Sequence, residues 1–288
     1  MSKECVAVIG AGTMGAGIAG QAALCGMKAH LFDISADQLR KGMETIRGSY
    51  NKGLQRQKIS QDAVAAAHGN LTDTNDLATA IASATIVIEA IPERMSLKKA
   101  LFSEIEAQVS DQVILGSNTS SLSITELAGD LKHPGRCVGL HFFNPVAIMK
   151  LLEIVRGEQT SDDTMKRVTV FAAEMKKEHI TVKDSPGFAT SRLGIALGNE
   201  AMRMFEEGVA SAEDIDKAMS LGYRHPIGPL ALSDLVGLDV RLAITKHLYR
   251  ELGTDTFKPA PILENMVKDG HLGRKTGQGF YTYETVKN

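Results

Sequence analysis

The stretch Val6-Ala7-Val8-Ile9-Gly10-Ala11-Gly12-Thr13-Met14-Gly15 places three glycines directly after a short apolar run, in the spacing G-x-G-x-x-G. A helical pattern follows from Met14 to Leu24, and the next apolar run ends at Asp33. Glycines recur in many turns, so the spacing alone is a weak signal. Its context is specific, because a strand precedes it, a helix follows it and an acidic residue ends the second strand. This combination predicts a βαβ unit that binds a dinucleotide.

Each residue of this unit has a physical role in the prediction. Gly10 permits the tight turn, Gly12 lets the backbone approach a pyrophosphate, and Gly15 lets the helix pack closely on the strand. The helix N-terminus supplies N–H groups and a partial positive charge. Asp33 is expected to accept hydrogen bonds from the adenosine ribose and to repel a 2′-phosphate, so NAD is predicted rather than NADP. The predicted cofactor contacts in this unit are Gly10, Gly12, Thr13, Met14, Gly15 and Asp33.

The composition of the 288 residues narrows the class of protein. With 43% hydrophobic residues the chain can bury a large core, and its length predicts two domains. A net charge of −2 provides no broad positive field, so a small-molecule partner is expected rather than nucleic acid or a membrane surface. No apolar run reaches the ~18 residues of a membrane span, and no basic leader precedes Val6, so a cytoplasmic location is expected.

The cysteines and histidines do not suggest a metal. Cys5, Cys25 and Cys137 lack any C-x-x-C spacing and lie in apolar segments, which indicates reduced core thiols. No group of His, Cys, Asp or Glu has the spacing of metal ligands, so no metal site is predicted.

Short apolar runs alternate with helical patterns in the first two thirds of the chain. This alternation predicts an α/β fold of the Rossmann type, with a mainly parallel sheet covered by helices on both faces. The predicted strands are 5–9, 29–32, 86–88, 113–115, 138–141, 151–155 and 180–182. After Asp184-Ser185-Pro186-Gly187 the strand patterns stop and helical patterns continue. We therefore expect an NAD-binding domain over 1–184 that also carries the catalytic residues, and an all-helical domain over 185–288 for substrate binding and dimerisation.

Two predicted helices bear on binding and assembly. From Ala36 to about Lys58, apolar residues recur at helical spacing in a polar sequence, which predicts a helix with one buried edge that projects from the domain. Ser49, Lys52 and Arg56 fall on one face of it, which is either a phosphate-binding face or an ordinary solvated one. The segment 188–205 is apolar nearly all round, which indicates burial against other helices or across a subunit interface.

The chemistry is expected in Leu140-His141-Phe142-Phe143-Asn144-Pro145 and on the next strand, which contains Glu153. Oxidation of an alcohol needs a base for the hydroxyl proton while hydride leaves carbon, and a histidine suits that role near neutral pH. Glu153 lies among apolar neighbours and needs a partner, which His141 can provide. Such a pair would fix the imidazole tautomer and stabilise the imidazolium formed during oxidation.

Five motifs follow one another along the chain. They are Ser117-Asn118-Thr119-Ser120-Ser121, His141-Phe142-Phe143-Asn144-Pro145, Pro186-Gly187-Phe188, His225-Pro226-Ile227-Gly228-Pro229 and Gly273-Arg274-Lys275-Thr276-Gly277. In this order they resemble the motifs of the bacterial 3-hydroxybutyryl-CoA and 3-hydroxyacyl-CoA dehydrogenases, over essentially the whole chain. The resemblance implies reversible, NAD-linked interconversion of a short-chain (S)-3-hydroxyacyl-CoA and a 3-oxoacyl-CoA, as in fatty-acid or butanoate metabolism, by a homodimer.

The same resemblance implies roles for individual residues. His141 is the general base in oxidation and the general acid in reduction, with Glu153 as its orienting partner. Ser120 and Asn144 lie around the reacting oxygen and the nicotinamide. The remaining implied contacts are Glu93, Lys98 and Lys275 with the cofactor, and Ser49, Arg56, Ser120 and Ser191 with the acyl-CoA substrate.

Position 191 departs from the family pattern. The family usually carries Asn and then Arg after the Pro-Gly-Phe motif, whereas this chain has Ser191-Arg192. A serine is shorter than an asparagine and donates hydrogen bonds with a different geometry. Whether Ser191 contacts the substrate directly, through a water or not at all stays open, as does a different acyl preference.

Two other functions stay open at this point. One is a dehydrogenase of a free hydroxy acid or sugar acid on the same scaffold, and the other is a non-catalytic NAD-binding protein. The pairing of His141 with Glu153 argues against the second, because a protein that only binds NAD has no use for a base beside the nicotinamide.

Overall fold

The chain folds into two compact units, Met1–Ser185 and Pro186–Asn288. The computed structural model describes residues 4–284. Within that range, no helix combines the length and the apolar character needed to cross a membrane. Each unit has its own hydrophobic core, and the sheet lies in the first.

The first unit is built on one eight-stranded sheet. Its strands are β1 (Cys5–Ile9), β2 (Lys28–Phe32), β3 (Leu71–Thr74), β4 (Ile86–Glu89), β5 (Ile114–Ser117), β6 (Cys137–Phe142), β7 (Leu151–Arg156) and β8 (Glu178–Lys183). The order across the sheet is β3-β2-β1-β4-β5-β6-β7-β8, and every neighbouring pair is parallel except β6 and β7. The strand order reverses direction between β1 and β4, and ligands of open α/β sheets bind beyond the carboxyl ends of the strands at such a point.

Helices and loops connect the strands of this unit. The helices are α1 (Thr13–Leu24), α2 (Ala36–Gln55), α3 (Gln61–Asn70), α4 (Leu77–Ile81), α5 (Met95–Glu106), α6 (Ile124–Ala128) and α7 (Asp162–Glu174). Serine or aspartate side chains cap the N-termini of five of them, because an oxygen acceptor satisfies a backbone N–H that has no partner within the helix.

The long helix α2 packs on α1 and on the glycine turn. A Cβ atom placed on Gly20 of α1 would lie 3.2 Å from the Ile46 side chain, and the Tyr50 hydroxyl donates to the Gly20 carbonyl over 2.7 Å. A Cβ atom on Gly42 would lie 2.8 Å from the carbonyl oxygen of Ala11. The predicted buried edge of this helix is therefore present, and through it α2 packs against the glycine turn.

The second unit is helical apart from short bridges near its C-terminal end. Its helices are α8 (Thr190–Glu206), α9 (Ala212–Lys217), α10 (Pro229–Val236), α11 (Leu238–Leu252) and α12 (Pro261–Lys268). Asp234 is 1% exposed and accepts hydrogen bonds from the Phe280 and Tyr281 N–H groups and the Tyr283 hydroxyl. Asp216 accepts from two N–H groups in the first turn of α10 and from the Tyr281 hydroxyl. Two buried carboxylates thus hold the final segment of the described chain to its helices.

The structure differs from the sequence prediction in two places. Strand β3, Leu71–Thr74, was not predicted, because it is short, polar and at the edge of the sheet, so it lacks an apolar run. The segment that forms helix α8 was predicted to be apolar nearly all round, with burial against other helices or across a subunit interface. In the single chain it is one-sided, with Ile195 and Met202 buried and Leu193 71% exposed.

Candidate active site

The three glycines of the turn are needed for different reasons. Gly10 has a φ of +105°, and a Cβ atom there would lie 2.7 Å from the carbonyl oxygen of Ala90. A Cβ atom on Gly15 would lie 1.7 Å from the carbonyl oxygen of Gly10, so only glycine lets α1 start so close to β1. No atom lies within 4 Å of a Cβ atom built on Gly12. The structure is therefore tight behind Gly10 and Gly15 and open above Gly12, which is where a ligand would approach the backbone.

Asp33 closes this turn from the end of β2. Its Oδ2 atom accepts a hydrogen bond from the Ala11 N–H and its Oδ1 atom accepts one from the Ser35 N–H, each over 2.9 Å. The side chain of Gln38 donates to the Ala11 carbonyl over 3.3 Å. Asp33 is half-buried, so its carboxylate is both fixed by the backbone and accessible to a ligand. Each oxygen has lone-pair capacity beyond one hydrogen bond, which suits ribose hydroxyls.

The residues of this turn fit NAD. Among the described residues, no side chain caps the N-terminus of α1 and no acidic residue lies in its first turn. The N–H groups of this first turn are therefore not capped by a side chain, as an anion-binding helix start requires. Thr13 is exposed and Met14 is half-buried at the same position.

Hydrogen bonds join the carboxyl ends of the central strands. The Ala90 N–H donates to the Ile9 carbonyl over 2.8 Å, and the Asn118 N–H donates to the Glu89 carbonyl over 2.9 Å. The Phe142 N–H donates to the Asn118 side-chain oxygen over 2.9 Å. The loops that follow β1, β4, β5 and β6 thus lie side by side along one edge of the sheet. This edge carries the glycine turn, the Ser117–Ser121 segment and the His141 segment.

His141 and Glu153 face each other across the antiparallel pair β6 and β7. They are register partners, so their side chains point to the same face of the sheet. The His141 Nδ1 atom lies 2.8 Å from Glu153 Oε2. Glu153 is 0% exposed and His141 is 7% exposed, and the His141 ring stacks at a tilt against Phe143 with 4.5 Å between the ring centroids. The sheet therefore fixes the orientation of the imidazole through both a carboxylate and an aromatic ring.

Glu93 organises the loop after β5. Its Oε1 atom accepts hydrogen bonds from the Thr119 hydroxyl at 2.5 Å, the Ser120 N–H at 3.0 Å and the Ser121 hydroxyl at 3.1 Å. Ser120 is thereby held by its backbone, and it is half-buried. Asn144, on the neighbouring loop, is exposed.

Lys98 lies beneath that loop with its ammonium group between two carboxylates. It is 1% exposed, it contacts Glu89 Oε1, and it lies 3.1 Å from Glu93 Oε2. Burial raises the pKa of the Glu89 carboxyl above its ordinary value despite the adjacent ammonium. Burial also acts to raise the pKa of Glu93, but the Lys98 charge and the Thr119 hydroxyl outweigh it, so the pKa of Glu93 is lowered. The Lys98 ammonium thus favours the ionised form of Glu93.

The proposed acyl-CoA contacts on α2 lie apart from these charge clusters. Ser49, Lys52 and Arg56 are all exposed, and Arg56 is the C-terminal cap, since the helix ends at Gln55. Solvent exposure is compatible with both a phosphate-binding face and a solvated one.

Two predicted contacts lie in the second unit. Ser191 is half-buried in the first turn of α8, beside Arg192, whose guanidinium lies 5.9 Å from the centre of the Phe257 ring. The Lys275 ammonium donates to Asp239 Oδ1 over 2.5 Å, with both side chains roughly half exposed. Any anion that Lys275 binds must therefore compete with this carboxylate.

Comparison with known proteins identifies the family. Residues 5–185 match the family model of the 3-hydroxyacyl-CoA dehydrogenase NAD binding domain, and residues 187–283 match that of the 3-hydroxyacyl-CoA dehydrogenase C-terminal domain. The chain belongs to the 3-hydroxyacyl-CoA dehydrogenase family. This dehydrogenase is 40% identical over 284 residues to a probable 3-hydroxybutyryl-CoA dehydrogenase of Bacillus subtilis, with 99% of each chain covered. It is 43% identical over 276 residues to one of Deinococcus radiodurans, covering 96% of this chain and 99% of the relative.

A solved structure shows the same fold. The crystal structure of (S)-3-hydroxybutyryl-CoA dehydrogenase from Ralstonia eutropha matches this dehydrogenase with a TM-score of 0.95 at 42% identity, covering 99% of this chain and 100% of the other. Three sequence-based predictions are therefore confirmed. These are the Rossmann-type sheet followed by a helical C-terminal part, NAD as cofactor, and the NAD-dependent oxidoreduction of a 3-hydroxyacyl-CoA.

Sequence reasoning missed two residues at the centre of this dehydrogenase's charge network. Glu89 is the buried carboxylate beneath Lys98, and Asn118 links the loop after β5 to the strand of His141. The signal for Glu89 was an acidic residue at the end of the otherwise apolar run Ile86-Val87-Ile88. Asn118 carried no such signal, because its role depends on the pairing of β5 with β6.

Proposed function

We propose that this dehydrogenase interconverts (S)-3-hydroxybutyryl-CoA and acetoacetyl-CoA with NAD, using His141 as the general base. The observation that carries the proposal is the buried contact of 2.8 Å between His141 Nδ1 and Glu153 Oε2 at the carboxyl edge of the sheet. The short-chain substrate is supported by the names of the relatives, since the Bacillus, Deinococcus and Ralstonia proteins described above are all named as probable or established 3-hydroxybutyryl-CoA dehydrogenases.

In the oxidation, His141 accepts the proton of the substrate hydroxyl while the C–H bond at carbon 3 breaks and the carbonyl forms. When bound, NAD takes up the hydride from that carbon. With Nδ1 facing the carboxylate, we assign Nε2 as the nitrogen that exchanges the proton. Glu153 then stabilises the imidazolium that forms. In reduction, His141 returns the proton to the oxygen.

Ser120 and Asn144 are proposed to flank the reacting oxygen and the nicotinamide. Their support is their position on the loops that follow β5 and β6, next to the His141 strand. The backbone hydrogen bond from Ser120 to Glu93 fixes the loop while the hydroxyl of Ser120 remains half-exposed on it. A hydroxyl and an amide at these positions can donate hydrogen bonds to an oxygen that gains negative charge during reduction.

The proposed cofactor contacts come from several loops. The glycine turn takes the pyrophosphate, Asp33 takes the adenosine ribose, and Glu93 and Lys98 belong to the nicotinamide half. The full proposed set is Gly10, Gly12, Thr13, Met14, Gly15, Asp33, Glu93, Lys98, Ser120, Asn144 and Lys275. Lys98 is buried and its ammonium faces protein acceptors, so its proposed contribution to the cofactor site is positional and electrostatic.

The acyl-CoA handle is proposed to bind through Ser49 and Arg56 of α2, and Ser191 is proposed to lie on the acyl side. The exposed hydroxyl and guanidinium on α2 suit a phosphate or a ribose hydroxyl. We also propose that residues 1–184 bind NAD and hold the catalytic pair, and that 185–288 bind substrate and dimerise.

Assembly as a homodimer is proposed from the exposed apolar residues of the helical unit. Leu193, Leu221 and Leu235 are 71%, 79% and 52% exposed. Apolar side chains grouped on one unit are a common sign of a protein interface. Light scattering at several protein concentrations measures the state, and a monomer throughout would contradict the proposal. A cytoplasmic location is also proposed, because Cys5 and Cys137 form no disulfide, as expected in a reducing compartment.

The experiment that tests the reaction is oxidation of NADH with acetoacetyl-CoA, longer 3-oxoacyl-CoAs and free acetoacetate. We expect turnover with the CoA esters, highest for the four-carbon chain, and none with the free acid. Turnover with the free acid would favour a hydroxy-acid dehydrogenase instead. His141→Gln should lower turnover at least ~100-fold, the usual contribution of general base catalysis, while NADH still binds. NADH binding without any turnover in the wild type would indicate a protein that only binds NAD.

A further inference from the structure

Glu89 is a buried carboxylate that none of the proposed steps uses. It ends β4 and is 0% exposed. Its Oε1 atom accepts from the Lys98 ammonium and from the Ile91 N–H at 2.9 Å, and its Oε2 atom accepts from the Ser117 hydroxyl at 2.6 Å. A buried charge is tolerated only when it is paired and hydrogen-bonded, and these three donors meet that condition.

Lys98 depends on Glu89 for its position. Besides the two carboxylates, its ammonium contacts only the Ile91 carbonyl, at 3.4 Å, among the described residues. An ammonium has three N–H donors, so these contacts use all of them. Without Glu89, a buried cation would keep one carboxylate, Glu93, whose side chain is 38% exposed. Lys98 would then draw Glu93 toward itself or admit water.

Glu93, held by Lys98, in turn fixes the position of the loop after β5. The atom of Glu93 that faces the loop is Oε1, with three donors, while Oε2 faces Lys98. Ser117, the last residue of β5, donates its hydroxyl to Glu89 itself, and its Oγ atom accepts from the Thr119 N–H over 3.2 Å. Glu89 therefore holds this loop twice, directly at Ser117 and through Lys98 and Glu93 at Ser120.

The segment after Glu89 also lies against the glycine turn. The Ala90 carbonyl oxygen is the atom that a Cβ on Gly10 would meet at 2.7 Å, and the Ala90 N–H donates to the Ile9 carbonyl. A shift of Glu89 would therefore also move the peptide group of Ala90, which lies against Gly10 of this turn. One side chain thus connects the proposed cofactor turn with the loop that carries Ser120.

We infer that Glu89 is a positioning residue of the dehydrogenase, which sets Lys98, Glu93 and Ser120 for the cofactor and the reacting oxygen without touching either. The inference rests on the proposed roles of Glu93, Lys98 and Ser120. It predicts a larger effect of Glu89 on NADH affinity and on turnover than on acyl-CoA affinity. Ser120 is the one proposed acyl-CoA contact on the loop that Glu89 holds, and the others lie on α2, at its C-terminal cap and on α8.

The test replaces Glu89 by glutamine and compares it with a matched control. Glu106 is a suitable control because its side chain is also buried, at 8% exposed, and lies near the amino ends of the strands. It accepts hydrogen bonds from the Lys132 and His133 N–H groups and from the Arg136 guanidinium. For Glu89→Gln we expect about a tenfold rise in the NADH dissociation constant, measured by fluorescence without substrate, since one hydrogen bond to a charged group contributes that factor. We also expect kcat at saturating NADH to fall by a similar factor and KM for acetoacetyl-CoA to change by less.

The comparison separates positioning from folding. Glu106→Gln should lower the melting temperature as much as Glu89→Gln but leave NADH affinity and kcat unchanged. In Glu89→Gln/Lys98→Met the buried ammonium is gone, so the melting temperature should recover, whereas the NADH affinity should not. Recovery of both would overturn the inference, as would wild-type NADH affinity and kcat in Glu89→Gln.

A further variant decides the question if Glu89→Gln does not fold. Glu89→Asp keeps the charge but is one methylene shorter, so it cannot reach Lys98 and Ser117 together. We expect it to fold and to bind NADH more weakly, and wild-type NADH affinity would overturn the inference. The proposed substrate fails separately, because a wild type that binds NADH but does not reduce acetoacetyl-CoA leaves the NADH result for Glu89 intact.

Discussion

Replacement of Glu153 by glutamine tests the catalytic pair without changing its shape. When His141 takes the proton, an imidazolium forms 2.8 Å from a carboxylate that is 0% exposed. Two unit charges about 4 Å apart attract by about 4 kcal/mol at an effective dielectric constant near 20. A hydrogen bond to a charged group contributes about 1.5–3 kcal/mol, against about 0.5–1.5 kcal/mol for a neutral one. Glutamine keeps only the neutral hydrogen bond, so the loss lies between about 1 and 4 kcal/mol.

We therefore expect Glu153→Gln to lower kcat about 100-fold, which corresponds to about 2.7 kcal/mol. The assay is the rate of NADH formation from 3-hydroxybutyryl-CoA, together with the reverse reaction, because the same group carries the proton in both directions. NADH affinity should not change, since Glu153 lies on β7, away from the glycine turn. Glu106→Gln, which removes a carboxylate far from this edge, should keep the wild-type kcat. A kcat close to wild type in Glu153→Gln would refute the electrostatic role of the pair.

Three further substitutions test the cofactor and substrate contacts. Asp33→Ala should weaken NADH binding by about tenfold, which is the factor for one lost hydrogen bond to a charged group, and should reduce the difference in affinity between NADH and NADPH. Titration with both nucleotides measures these affinities, and an unchanged NADH affinity would contradict the assignment of Asp33. Arg56→Glu should raise KM for acetoacetyl-CoA and remove its salt dependence; an unchanged KM would make the α2 face an ordinary solvated one. Ser191→Asn should alter the order of kcat/KM among acyl-CoA chain lengths, and identical profiles for the two enzymes would exclude a role for Ser191.

The local parts of the fold could be predicted from the sequence. The turn Gly10–Gly15 and Asp33 form a motif of residues that are close in the chain. In the structure, a Cβ atom on Gly10 would clash with Ala90, and one on Gly15 would clash with Gly10. The prediction that His141 and Glu153 pair rested on the argument that a carboxylate among apolar neighbours needs a partner, and on the family resemblance. The antiparallel register that makes them direct neighbours depends on how β6 and β7 pair, which no local pattern specifies.

The charge network could not be predicted, because it joins residues from three segments. Lys98 resembled an ordinary cofactor contact, and only the structure shows its ammonium buried between Glu89 and Glu93. Likewise, the pairing of Lys275 with Asp239 brings together residues 36 positions apart. Sequence patterns identified the types of residue at the site, and the sheet determined which of them meet.

The three carboxylates at the carboxyl edge of the sheet differ in the donors they accept, and this difference predicts how each affects the reaction. Asp33 accepts from two backbone N–H groups, whose charge does not change during hydride transfer. Its charge is therefore expected to contribute to binding and not to the chemical step. Glu89 accepts from an ammonium whose charge is the same before and after hydride transfer, so its loss alters geometry. Glu153 faces a group that gains a proton during turnover, so its energy of interaction changes along the reaction coordinate. Only an interaction that strengthens in the transition state raises kcat by itself, and by this criterion we expect Glu153 to be the carboxylate whose loss lowers the rate of the chemical step most.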